Sequence, residues 1–127
     1  MKAILDTNTF LRAIMDDRKL SQRARQIFIG PNDLWLSVAS LWEILLKVRI
    51  GKLPLPKPTA PYIAKKLSQN RIEVLAITWD HVAGIESLPL HHGDPFDRII
   101  IAQAKEEGLP VVTADLQFER YPIKTIW

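Results

Sequence analysis

The amino-acid sequence predicts an α/β fold, with a central, mainly parallel sheet of four to five strands flanked by helices on both faces. Three observations lead there. Apolar runs of strand length alternate with stretches in which apolar residues recur every three or four positions, the pattern of strand and helix units in turn. The apolar runs, Ala3-Ile4-Leu5 and Val111-Val112 among them, lack polar alternation, as expected of strands covered on both faces. Hydrophobic residues make up 47% and charged residues 24% of the 127 positions, which suits one domain over residues 1–127 with its own buried core.

The elements follow in order. Residues 2–5 form a strand closed by Asp6-Thr7-Asn8, after which Phe10, Leu11, Ile14 and Met15 recur at helical spacing. A second helix is predicted over 21–28, and Gly30-Pro31-Asn32-Asp33 breaks it before a strand over 34–38. Ser40 opens a helix that runs to about Ile50 and stops at Gly51. Pro54, Pro56, Pro58 and Pro61 make residues 53–61 an extended connection, and a helix over 62–69 follows. Next come a strand over 72–77, a helix over 79–88 halted by Pro89, and the loop His91-His92-Gly93-Asp94-Pro95. A long helix over 96–107 ends at Gly108, a strand over 110–113 leads to Asp115, and a last strand occupies 123–126.

Composition narrows the chemistry. The chain has no cysteine, so disulfides, thiolate zinc sites and cysteine nucleophiles are excluded, and any metal must be held by oxygen or imidazole. No apolar run is long enough for a signal peptide or a membrane span, and a cytoplasmic location is expected. The formal charge of +3 is compatible with a polyanionic partner. Basic residues gather in two groups, Arg12 to Arg25 and Lys47 to Lys66, although solvated helix faces account for them equally well.

Asp6 and Asp115 each follow a predicted strand, at the end of the sheet where open α/β folds bind ligands. Glu43 lies one turn into the helix after the second strand, and Asp97 lies at the start of the long helix. Each acid has a structural explanation, because helix starts attract carboxylates through capping and the macrodipole. Ser40-Leu41-Trp42-Glu43 matches a capping box, and Asp94-Pro95-Phe96-Asp97 offers a cap, a proline at the first helical position and an acid at the third. Capping is served equally by Asn, Ser or Thr, however, whereas magnesium and manganese want charged oxygen ligands. Four acids at converging junctions therefore imply a divalent metal site. His91 and His92 read as solvated loop residues without a catalytic role. Trp42, Trp79 and Trp127 are read as core or dimer contacts before base-stacking platforms. Arg98 could meet a phosphate or a partner's carboxylate, or simply lie on the surface.

With these residues in view, the chain resembles PIN-domain proteins, and most of all the VapC-type ribonuclease toxins of type II toxin–antitoxin pairs. The matching segments are Leu5-Asp6-Thr7-Asn8, Ser37 to Ile44, Asp94-Pro95-Phe96-Asp97-Arg98 with the Ile99 to Ala104 run, and Val112-Thr113-Ala114-Asp115. The resemblance implies a PIN-like fold in which Asp6, Glu43 and Asp97 are metal ligands. Asp115 is then a fourth acid of less uniform importance, and Asp94 a second choice for the role of Asp97. Thr7, Asn8 and Thr113 would orient ligands or water. It also implies Mg2+ or Mn2+ as cofactor, RNA as substrate, a cognate antitoxin protein that covers the pocket, and a homodimer. Two other readings compete: a PIN fold that binds without catalysis, and an aspartyl-phosphate phosphatase or receiver. Asn8 stands where such a phosphatase wants its second acid, and Ile77-Thr78-Trp79 lacks the aspartate a receiver needs.

Overall fold

The first strand, β1 (Lys2–Leu5), is buried on both sides, and its side chains alternate between two separate cores. Ala3 and Leu5 face one cluster and Ile4 the other; on the neighbouring strands Leu34 and Leu36 oppose Trp35, and Val112 opposes Val111. This period-two division is what an apolar strand without polar alternation produces when helices cover both faces of its sheet. The computed structural model describes all residues, Met1–Trp127.

After β1 come α1 (Thr7–Ile14), α2 (Gln22–Ile29), β2 (Asp33–Ser37), α3 (Val38–Arg49), α4 (Thr59–Gln69) and β3 (Ile72–Leu75). Then follow α5 (Trp79–Gly84), α6 (Pro95–Glu107), β4 (Val111–Val112) and β5 (Thr125–Ile126), with 3-10 turns at Ile85–Ser87 and Phe118–Arg120. All five strands are parallel, in the order β3-β2-β1-β4-β5. The chain thus leaves β1 toward one edge and returns to its other side, so a crevice opens beyond the carboxyl ends of β1 and β4. Helices α1, α2 and α4 supply Phe10, Ile27 and Ile63 to one core, and α6 supplies Ile100, Ile101 and Ala104 to the other. No helix is long and apolar enough to cross a membrane.

Several boundaries differ from the sequence reading, each for a physical reason. Helix α3 opens at Val38, capped by Ser37, whose Oγ accepts from the Ala39 N–H at 3.0 Å. Ser40 is instead buried inside the first turn, where it accepts from Thr7 Oγ1 at 2.9 Å and ties α3 to α1, so Ser40 to Glu43 is not a capping box. Strand β3 stops at Leu75 because its ladder partner β2 ends at Ser37. Strand β4 is only Val111–Val112 because β1 offers it only Ile4 and Leu5. The last strand is likewise Thr125–Ile126, paired with those same two residues of β4. Helix α4 begins at Thr59, so Pro61 lies in its first turn, where a missing N–H costs no helical bond. The helix over 79–88 ends at Gly84 and tightens into a 3-10 turn. Gly108, at φ 65°, closes α6 in the left-handed conformation that a residue without Cβ adopts readily.

Candidate metal centre

Asp6 sits at the junction of β1 and α1, and both of its oxygens are tied. Oδ1 accepts from the Thr9 N–H at 2.7 Å, capping α1, and Oδ2 accepts from the Thr113 hydroxyl beyond β4. Thr113 Oγ1 in turn accepts from the Asp115 N–H at 3.0 Å, so one hydroxyl joins the two acids across the crevice. Asp115 Oδ1 accepts from the Gln117 N–H at 2.9 Å, which holds the turn after β4. The cleft here is about 240 Å³ and is lined by Asp6, Asn8, Thr9, Arg12, Ala114 and Asp115. A larger hollow of about 870 Å³ lies at the opposite end of the sheet, before β2 and β3, where Asp33 and Glu73 are the sole acids.

Glu43 and Asp97 stand on α3 and α6, outside the residues that line this cleft, and are coupled to it through charge, since Glu43 and Asp115 both act on the Asp97 carboxyl. Glu43 is buried in α3; Oε2 pairs with Lys47 Nζ at 2.7 Å, one helical turn on, while Oε1 is buried with no hydrogen-bond partner. On α6 the two acids divide their tasks. Exposed Asp94 is the cap, accepting from the Asp97 N–H at 3.0 Å, which leaves the Asp97 carboxylate free of the backbone. Asp97 Oδ2 lies 3.3 Å from His92 Nε2.

The charges respond to one another. Burial pushes the Asp6 carboxyl above its ordinary value; hydrogen bonds from Thr113 and Thr9 oppose this, and the charge of Asp115 adds to it. Asp97 is pushed up to about 7, first by burial and then by Asp94; the His92 hydrogen bond opposes the shift, and Glu43 and Asp115 add to it. Lys47 is held above its usual range, chiefly by its hydrogen bond to Glu43, with Asp94 and Asp97 contributing. The four acids thus share one field. They are not drawn into contact, since no three acidic or histidine side chains form a ready-made ligand set.

The donor set fits a hard divalent cation. All the candidate ligands are carboxylate oxygens, one of them, Glu43 Oε1, buried and unpartnered. Ionising Asp97 is costly until a positive charge offsets its neighbours. Against known proteins, the PIN domain family model matches residues 3–124. The chain belongs to the PIN domain family.

Similar PIN-fold proteins are consistent with this. The chain is 34% identical over 71 residues to Ribonuclease VapC16 of Mycobacterium tuberculosis, a match covering 56% of this chain and 46% of that protein. The matched segment therefore spans about half of that relative. Among solved structures, VapBC2 from Rickettsia felis bound to a DNA fragment from its promoter superposes with a TM-score of 0.74 at 19% identity, covering 99% of this chain and 98% of that one. DNA-bound VapBC from Salmonella typhimurium gives 0.74 at 25% identity, covering 99% and 97%. Membership of the family sets aside the phosphatase and receiver readings.

Within this PIN domain Thr7, Asn8 and Thr113 take different places. Thr113 bonds directly to Asp6, Thr7 bonds to Ser40 in the first turn of Glu43's helix, and exposed Asn8 lines the cleft. Two sequence readings need correction. His92 is not a solvated loop residue: its side chain is 14% exposed and packed against Tyr121 and Asp97. Arg98 is buried rather than on the surface, and donates to the carbonyls of Pro89 at 2.8 Å and Leu88 at 3.3 Å, so it meets no phosphate. Of the tryptophans read as core or dimer contacts, Trp127 packs on the first core beneath Arg12, and Trp42 and Trp79 are exposed, as a dimer contact would require. Lys47 is a member of the site that sequence reasoning misses, although its place four residues after Glu43 is the ordinary signal of a helical ion pair.

Proposed function

We propose that the chain is a Mg2+- or Mn2+-dependent endoribonuclease that serves as the toxin of a toxin–antitoxin pair, with residues 1–127 acting as one domain. The observation that carries this reading is the shared field of Asp6, Glu43, Asp97 and Asp115 at the crevice between β1 and β4, with Glu43 Oε1 buried and unpartnered. The likeness to a ribonuclease and to toxin–antitoxin assemblies supports the choice of RNA and of an antitoxin partner. A cytoplasmic, homodimeric protein fits the same picture, and light scattering is expected to return about twice the 14.5 kDa chain mass; a solely monomeric mass would remove the dimer.

In this reading the four acids hold the cation, with Asp94 capping α6 beside them. A bound Mg2+ or Mn2+ supplies Lewis-acid stabilisation of a phosphate oxygen and acidifies a water. The protein's own groups do the rest. Thr9 and Thr113 fix the orientation of the Asp6 carboxylate before any substrate arrives. Lys47 offsets the charge of Glu43, and Arg12, at the cleft wall, gives the anionic RNA backbone a cationic contact. No protein nucleophile is required.

The test is cleavage of single-stranded RNA with Mg2+ or Mn2+ present. Cleavage is expected from the wild type and absent after EDTA, and Asp6→Asn should reduce it by ~100-fold or more, the loss of several kcal/mol of charge stabilisation. Cleavage that survives both EDTA and Asp6→Asn would sink the proposal. A wild type that binds Mn2+ but cuts no RNA would favour a binding module.

A further inference from the structure

We propose that His92 is a positioning residue for Asp97: the Tyr121 hydroxyl holds its ring in the Nε2–H tautomer, so that it ties one carboxylate oxygen and leaves the other for the cation. This rests on the acidic-site reading above. Tyr121 is buried, and its phenol oxygen is the meeting point of three groups. Arg98 Nη1 lies at 3.2 Å and the His92 backbone N–H at 3.2 Å, and both can only donate. They occupy the two lone pairs of the oxygen. Its single proton must go to an acceptor, and the nearer of two is His92 Nδ1, at 2.7 Å, against 3.5 Å to the His92 carbonyl.

A ring nitrogen that accepts carries no proton, so in the neutral ring the proton is on Nε2, which faces Asp97 Oδ2 at 3.3 Å. The opposite tautomer fails twice. Its Nδ1–H would meet an oxygen that already accepts two bonds, and its bare Nε2 would confront a carboxylate oxygen once Asp97 is ionised, the state that holds a cation. Because Arg98 is itself anchored on the Pro89 and Leu88 carbonyls, the chain Arg98 to Tyr121 to His92 to Asp97 runs donor to acceptor in one direction throughout. The loop is secured by Arg98, by Tyr121 and by Arg120, which donates to the His91 carbonyl at 2.9 Å; the Nε2–H serves only Asp97.

Calorimetric titration of chelator-treated protein with MnCl2 tests this, alongside nitrogen NMR of the histidine rings. We expect His92→Leu to weaken Mn2+ binding by ~10- to 100-fold, the usual effect of losing a hydrogen-bond partner of a ligand. His92→Gln, whose amide N–H can reach the Nε2 position, should stay close to wild type. Tyr121→Phe keeps the ring packing, loses the tautomer lock, and should fall between the two. In the wild type His92 should appear as the Nε2–H form. An Nδ1–H form, or Mn2+ binding in both His92→Leu and Tyr121→Phe equal to wild type, overturns the proposal. If His92→Leu does not fold, Tyr121→Phe and the wild-type spectrum still decide it. A wild type that binds no Mn2+ overturns the acidic-site reading itself, and this proposal with it.

Discussion

Asp97→Asn is expected to cut RNA cleavage severely while making the metal-free protein more stable. Both effects come from one cause. Burial, the adjacent Asp94, and the more distant Glu43 and Asp115 push the Asp97 carboxyl up to about 7, so at pH 8 its charge is held at a cost that the His92 hydrogen bond only partly offsets. Asparagine keeps the shape and an acceptor for His92 and removes the charge. Allowing for solvent screening of a side chain that is 20% exposed, the gain is ~1–2 kcal/mol, or roughly 3–8 °C in Tm for a chain of this size. Activity should fall by ~100- to 1000-fold, because a carboxylate that binds a cation cannot be replaced by a neutral amide. Thermal melts at pH 8 in chelator, run beside the cleavage assay, check both parts. A variant that melts lower than wild type would show that favourable contacts of the Asp97 carboxylate outweigh its burial and its repulsion by Asp94.

The second large effect is in pH. Folded Asp97 keeps its proton to about pH 7, whereas the unfolded chain releases it near 3.8. Between those values the folded state binds more protons, so the stability of metal-free protein is highest at the acid end of the window and declines as pH rises through it. Asp6, also raised by burial, acts in the same direction. Most proteins with paired carboxylates behave in the opposite sense, losing stability as pH falls. Mn2+ must displace the proton, so its affinity should rise by up to about tenfold per pH unit until about pH 7 and then level off. The measurement is the Mn2+-induced rise in Tm, expected to be small at pH 5.5 and several degrees at pH 8. Equal rises at the two pH values would remove Asp97 from the ligand set.

Periodicity and punctuation make the α/β class, the two-faced burial of β1 and the positions of the acids at element junctions legible in the sequence. Asp94-Pro95 marks the start of α6, and Gly108 its end, because cap chemistry is local. Strand lengths are less legible, since β3 and β4 stop where their ladder partners stop, and that depends on pairing across the sheet. The α3 cap is ambiguous in sequence because Ser37 and Ser40 have equivalent side chains, and only Thr7, thirty-three positions away, gives Ser40 its other task. The His92 network is hidden for the same reason. Tyr121 lies twenty-nine residues on, and nothing local shows that its hydroxyl meets the ring.

The ladder that carries Thr113 and Asp115 has a consequence of its own. It consists of two residues of β4 held between β1 and the two residues of β5, with the Thr113 N–H bonded to the Ile126 carbonyl. Its two residues are fully buried, Val111 in one core and Val112 in the other, so packing as well as these few hydrogen bonds holds it. A change that loosens either valine therefore shifts Thr113 from Asp6 and disturbs a core at the same time. At β4, then, the geometry of the acidic cleft is tied to the packing of both cores.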